Sequence, residues 1–476
     1  PSDMSFVSAT TEQVSETNYK VGTQNCKIIR LSINTTGELN KFNLNSITFN
    51  TSGSTNPIDI ANAKVYYSTS TTFSTDEQFG STLAAPNGEF TIIGSKQLAI
   101  GVNYFWLVYD VANNATPGNI IDAVCSSFVT SEVGNPSRIP TETNPEGNSE
   151  LKGVLTGTKT IANTGADYPN LYSAIQDLNS SGAGLGGVTF LITDGETINE
   201  PGLINITETG TIDKPIIIKQ SGTGTKPILS FTGTSATGEA CIKLTGCDYI
   251  TIDGIIIKDE TTSNNVEYGI YFLGSETNGC KYNTVKNCEI DLYKDYRNAK
   301  GIFTSSSATN SAGINYHNKF YNNTIKECYI GYEIVGNSYF PDEQNEIGTI
   351  DGGISEIKNL GGNDSYVVKG IYFKYQKGIS VHNTKLNNFS GSTSYTYGIY
   401  FESCGQDTVK IYNNEITNFS STNASQSYIY AIHSYRENYA VIKLYNNEIH
   451  GFTLNNQVFY GINLETGNTL IYNNKM

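Results

Sequence analysis

Through residues 1–150, apolar and polar positions alternate in short runs: "KIIRLSINTTG", "LNSITFNTSG", "AKVYYSTS", "GEFTIIGS" and "VNYFWLVYDV". A period of two with turn residues between the runs, and no helical segment, predicts the strands of a β-sandwich. The stretch "TSEVGNPSRIPTETNPEGNSELKG" from Thr130 is rich in Pro, Gly, Asn and Ser and reads as a final loop and linker. The sandwich is therefore expected over 1–130 and the linker over 131–153.

Beyond residue 154 the pattern becomes a repeat. A phrase typified by "YGIYF" puts its glycine at Gly269, Gly301, Gly331, Gly370, Gly398 and Gly461, with Ala431 in the same slot. The intervals are 32, 30, 39, 28, 33 and 30 residues. A second phrase, V/I-x-N-x-x-I, starts at Val285, Val381, Ile411, Leu444 and Ile471. Ile252 and Ile325 open looser copies, with Gly254 and Glu327 in the Asn slot.

A unit holding two or three short strands cannot close a core alone, so the units must stack. Parallel strands stacked at about 4.8 Å per coil give a right-handed parallel β-helix over 154–476. Asn287, Asn383, Asn413, Asn446 and Asn473 then form a ladder at a bend, where Asn tolerates the left-handed conformation. Leu171, Ala174, Ile175 and Leu178 recur at helical spacing and predict a short helix over the open end of the stack. Val188, Phe190 and Ile192 follow as the first strand. The expected fold class is all-β: an N-terminal β-sandwich, then a right-handed parallel β-helix with a short capping α-helix. The chain opens at Pro1 and stops inside a repeat phrase, "IYNNKM", which leads us to expect more protein after Met476.

Composition sharpens this picture. The 32 Tyr and 46 Gly suit strands and turns. A formal charge of −15 argues against nucleic acid or anionic membrane as partner, because both require clustered cations. No apolar run is long enough to span a bilayer, so no membrane insertion is expected. Of the 8 cysteines, Cys247 and Cys280 fall in one slot of adjacent coils, and Cys288 and Cys328 in another, as stacked thiols would. Disulfides stay open as an alternative, with Cys26 and Cys125 as one pair. No C-x-x-C occurs, which speaks against zinc and redox roles.

The stretch "TIANTGADYPNLYSAIQDLNSSGAGLGGVTFLITDGETINEP" resembles the opening of pectin methylesterases and related pectin-lyase-like β-helix proteins acting on plant polysaccharides. "IIRLSINTTGELNKFNLNSITFNTSGSTNPIDIANAKVYYS", "FSTDEQFGS" and "GVNYFWLVYDV" resemble the sialidase-associated (BNR-associated) N-terminal domain of secreted Bacteroidota proteins. The second resemblance implies a non-catalytic sandwich and an extracellular, cell-surface location, often reached by type IX secretion. Secretion or surface-attachment machinery would then be a partner, through a C-terminal region beyond Met476. A sialidase propeller needs repeated S-x-D-x-G-x-x-W boxes, whereas Trp106 is the single tryptophan and reads as a core residue.

Pectinolytic β-helices carry their chemistry on the outer face of one parallel sheet. Taking the residue after each repeat glycine as inward, Ile270, Ile302, Tyr332, Ile371, Ile399, Ile432 and Ile462 stack inside. Outward rows follow: Tyr271, Phe303, Glu333, Tyr372, Tyr400, His433 and Asn463, then Leu273, Ser305, Val335, Lys374, Glu402, Tyr435 and Glu465. Tyr271, Phe303, Tyr372, Tyr400, His433 and Tyr435 are the candidate glycan-binding strip. Exposed strand tyrosines also stabilise a ladder simply by stacking.

The N-T-D, D-D and G-H-G motifs of polygalacturonases are absent, as are G-x-S-x-G, P-loop, EF-hand and H-E-x-x-H. The nearest catalytic constellation is Lys374, Glu402, His433 and Arg436, with Glu437 beside them, which could serve β-elimination or hydrolysis. His317, His382 and His450 share no metal spacing, so no cofactor is called for, although Ca²⁺ is a conceivable companion of a uronate. The leading expectation is a non-catalytic adhesin or glycan-binding surface protein. Two alternatives are a polysaccharide lyase or glycoside hydrolase and a structural stalk.

Overall fold

The computed structural model describes residues 2–234, 236–259, 266–362, 366–391, 395–405, 407–421, 427–436, 441–454, 457–465 and 467–476. Two compact units divide at Leu155 and Thr156.

The first unit is a β-sandwich. One sheet orders the strands Ser5–Gln13, Cys26–Thr36, Gly101–Val111, Ile60–Ser68 and Gln78–Ala84. The other orders Ser137–Arg138, Val124–Thr130, Asn43–Asn50 and Glu89–Gln97. Ile29, Leu31 and Ile33 from the first sheet share a core with Ile47, Phe49 and Phe128 from the second. Trp106 is buried but lies outside that core, between the Arg30 guanidinium, 4.8 Å from its ring, and Phe73. Residues 131–153 are no linker. Ser137–Arg138 pairs with Val124–Thr130, and Ser149–Lys152 pairs with Asn18–Lys20 and Ile120–Ile121. Leu151, wholly buried in the core, anchors a segment whose polar composition conceals it. Cys26 and Cys125 are both free thiols, so the disulfide left open as an alternative is not formed.

The second unit is a parallel β-helix. The chain passes in turn through three sheets, here A, B and C, of eleven, nine and nine strands among the described residues. Thr284–Lys286 (A), Glu289–Asp291 (B) and Lys300–Ser306 (C) make one coil. In sheet C, Ile242, Ile270, Ile302, Tyr332, Ile371, Ile399, Ile432 and Ile462 are successive register partners, so the inner stack is as expected. The repeat glycine is a packing requirement: a Cβ on Gly301 would stand 2.4 Å from Ile325 Cγ2 and 2.6 Å from the Gly331 carbonyl oxygen. Pairing steps over this glycine, running from Tyr268 directly to Ile270.

At the corner from A to B, Asn287, Asn322, Asn383, Asn413, Asn446 and Asn473 all have φ between 49° and 58°. The corner from B to C holds a second such column, Glu327, Asn359, Asn388 and Asn418. The copy read at Ile325 therefore belongs to the second corner, and the first-corner copy of that coil is Phe320–Ile325 with Asn322. Both corners need a left-handed bend after an inward apolar residue, so their phrases look alike. For the same reason Cys288 follows the first corner and Cys328 the second, and they do not share a slot. All eight cysteines are free and buried. The helix Leu171–Ser181 buries Leu171, Ala174, Ile175 and Leu178, and the Asn170 side chain caps it by accepting from the Ser173 N–H.

Candidate functional site

The pairing slip at each glycine decides what sheet C shows to solvent. Tyr268, Lys300, Ile330, Lys369, Tyr397, Tyr430 and Tyr460 form an outer row that strict alternation would have turned inward. Beside it run the two rows read from the sequence, in the expected register from Tyr271 to Asn463 and from Leu273 to Tyr435.

The aromatic side chains stack ring on ring along the coil axis. Tyr372 and Tyr400 lie 5.1 Å apart at 15°, Tyr400 and His433 5.3 Å apart at 15°, and Tyr397 and Tyr430 5.2 Å apart at 15°. Tyr271 and Phe303 make a separate block, 4.8 Å apart. Faces covered by neighbouring rings cannot stack on a sugar, so the strip presents edges and hydroxyls instead. Tyr372 and His433 are only 8% and 7% exposed.

The four conditional catalytic residues fall into separate arrangements. Lys374 and Glu402 form an ion pair of 2.8 Å, and Glu402 also accepts from the Tyr372 and Tyr400 hydroxyls at 2.6 and 3.1 Å. Burial pushes the Glu402 carboxyl up, but Lys374 and the phenols outweigh it and hold it below the usual range. Burial lowers the pKa of His433, whose Nδ1 sits 3.1 Å from the Asn463 carbonyl oxygen. Arg436 turns over the ring of Tyr435 at 4.8 Å, and among the described residues it makes no bond to His433 or Glu402. Glu437 lies outside the described residues.

Between the two aromatic blocks the face opens into a cavity of about 540 Å³, lined by Glu267, Tyr268, Arg297, Lys300, Glu333 and Lys369 among others. Lys300 pairs with Glu333 at 3.0 Å and lies 4.3 Å from the Phe303 ring. The Lys369 ammonium sits 3.7 Å from the centre of the Tyr372 ring. Burial lowers the pKa of Lys369, against the pull of Glu333 and Glu402, with Lys300 and Lys374 adding to the fall. Glu267, nearly buried, accepts from the Gly238 N–H and the Tyr296 hydroxyl. Arg297, on the loop of residues 292–299, is exposed at the rim. Three cations thus face two carboxylates in a chain of net charge −15. Among the described residues no group of three or more His, Cys, Asp or Glu is placed to hold a metal ion.

Together these features describe a two-unit all-β protein whose β-helix carries a charged cleft on an outer face. No family model matches the chain, and no curated protein does. Among solved structures it is similar to a lacto-N-biosidase from Eubacterium ramulus, at 14% identity and TM-score 0.41, over 67% of each chain. An alginate lyase from Paenibacillus is 16% identical, with TM-score 0.31, over 66% of this chain and 98% of that one. A polygalacturonase from Erwinia carotovora is 12% identical, with TM-score 0.28, over 67% of this chain and 98% of that one. By their names, all three act on carbohydrates.

Proposed function

We propose that the β-helix binds an acidic polysaccharide across sheet C and cleaves it in the Lys369 cavity by β-elimination. The observation that carries this reading is the cavity itself: three basic side chains converge on it, and partial burial lowers the pKa of one of them, Lys369. Lys300 and Arg297 neutralise a uronate carboxylate, which acidifies the adjacent ring C–H. Lys369, in its free-amine form, takes that proton, the C–O bond of the glycosidic link breaks as the ring double bond forms, and the Tyr268 phenol supplies a proton to the leaving oxygen. An extracellular location is proposed with it, on the sequence resemblance of the first unit and on a substrate that lies outside cells.

The test is ultraviolet absorbance of unsaturated product after incubation with polygalacturonate and with alginate. Lys369→Met is expected to abolish the signal and Glu402→Gln to leave most of it. Absence of unsaturated product from both polymers overturns the elimination reading. Binding without product would favour the adhesin reading.

A further inference from the structure

Sheet A carries a second charged row on its own outer face. Lys319, Glu346, Ser380, Lys410 and Lys443 are successive register partners there. Outward lysines elsewhere on the β-helix meet carboxylates: Lys286 with Asp253 at 3.3 Å, Lys326 with Glu289 at 2.8 Å, and Lys385 with Glu415 at 3.0 Å. Among the described residues, Lys319, Lys410 and Lys443 form no ion pair and no side-chain hydrogen bond. Lys410 and Lys443 stand directly opposite each other on adjacent coils, an arrangement of like charges that costs stability.

All three line a cavity of about 570 Å³ together with Glu346 and Asp407. Glu346 is already engaged, accepting from the Tyr321 hydroxyl and lying 2.9 Å from His382 Nε2. Asp407 accepts from the Thr408 N–H at 2.6 Å. Tyr412, which also lines it, belongs to a ring stack of His382, Tyr412, Tyr445 and Tyr472, with centroids 5.1, 4.8 and 5.0 Å apart.

We propose that this face is a second carbohydrate-binding surface, taking the carboxylates of an acidic polysaccharide on Lys319, Lys410 and Lys443. Four coils separate Lys319 from Lys443, about 19 Å along the stack, enough for a short run of sugar units. Three lysines that form no ion pair, two of them directly opposed, offer an external anion a place that the already engaged Glu346 does not fill. The surface lies on a different sheet from the Lys369 cavity and requires no cleavage there, so the two readings can fail separately.

The test is retardation of the full chain in native gels containing polygalacturonate, measured relative to gels containing a neutral glucan. The wild type is expected to be retarded, less so as salt rises. The double variant Lys410→Gln/Lys443→Gln, at outward positions that leave the core intact, should lose about five- to tenfold in apparent affinity. That loss supports the surface whether or not Lys369→Met also binds more weakly. Equal retardation of wild type and double variant overturns the proposal, as does no retardation of the wild type. A wild type that is retarded by DNA and not by polygalacturonate also overturns it, since the row would then serve a different polymer.

Discussion

The two units bury polar side chains by different rules. In the sandwich each is solved once, by its own neighbours. Asn103 accepts from the Ala99 N–H and the Tyr67 hydroxyl, and Asp59 accepts from the Thr116 N–H and the Asn119 amide. In the β-helix one solution is repeated from coil to coil. Asn283 donates to Asn318, Asn318 to Asn345 and Asn345 to Gln376, at 3.0 to 3.2 Å. Asn414, Asn447 and Asn474 do the same at a second position. Each rung of a stack is thus the template for the next, so a defect in one rung reaches its neighbours, whereas a defect in the sandwich stays with the loop it ties.

The largest effect should come from the shared inner stack. Ile399→Asp buries an unpaired charge between Ile371 and Ile432 and is expected to cost more than about 4 kcal/mol. Hydrogen exchange should show protection lost on the sheet C strands of both neighbouring coils. Loss confined to Tyr395–Glu402 would break the template picture.

A buried ladder asparagine comes next. Asn414 accepts from the Thr384 N–H and donates to the Val381 carbonyl and to Asn447, so Asn414→Ala orphans groups on two coils. About 2–3 kcal/mol is expected from the urea midpoint. Asn103→Ala in the sandwich should cost a similar amount but alter exchange only around Ala99 and Tyr67.

Asp342 sharpens the contrast through pH. It occupies a ladder slot whose neighbours are Asn315 and Gln376, and it accepts from the Asn315 N–H and amide at 2.8 and 3.1 Å. Burial pushes its carboxyl up to about 8, with those hydrogen bonds opposing. The unfolded chain ionises there near pH 4, so above that pH the folded state holds a proton that the unfolded state has released. The stability this confers is complete below about pH 4 and is lost as pH rises through about 8. Glu200, pushed up to about 7 by burial at the helix start, acts in the same sense. Asp342→Asn fits the amide ladder and is expected to gain several kcal/mol near pH 9, on the order of 1 kcal/mol near pH 5 and nothing below about pH 4, by urea midpoints across that range.

What the sequence revealed, and what it hid, follows from the same geometry. The inner isoleucines and the two outward rows were legible because a period of two survives from Ile270 to Phe272 and beyond. The Lys300 and Lys369 row was hidden by the slip at the glycine. A clue was present: strict alternation would bury Lys300 and Lys369, which the core cannot accept, so the lysines before Gly301 and Gly370 already marked a break in the pleat. Arg297 belongs to the loop of residues 292–299, outside both repeat phrases, and nothing periodic could have pointed to it. The Ser149–Lys152 strand was missed because its pairing is held by backbone bonds that composition does not report.

The smallest expected effect separates bend chemistry from ladder chemistry. Asn413 holds φ at 56° and its Oδ1 accepts from the exposed Asn446 amide at 3.1 Å. Asn40, in the sandwich, holds φ at 49° and donates to Asp3 at 2.9 Å, also at the surface. Glycine keeps the left-handed bend at little cost, while alanine is strained there by about 1 kcal/mol. If the outer asparagine column matters only for its bends, Asn413→Gly and Asn40→Gly should both lie within about 0.5 kcal/mol of the wild type, and both alanine variants about 1 kcal/mol below. A glycine penalty at Asn413 well above that at Asn40, read from urea midpoints, would instead assign the excess to the bond with Asn446. The exposed column would then carry stability from coil to coil as the buried ones do.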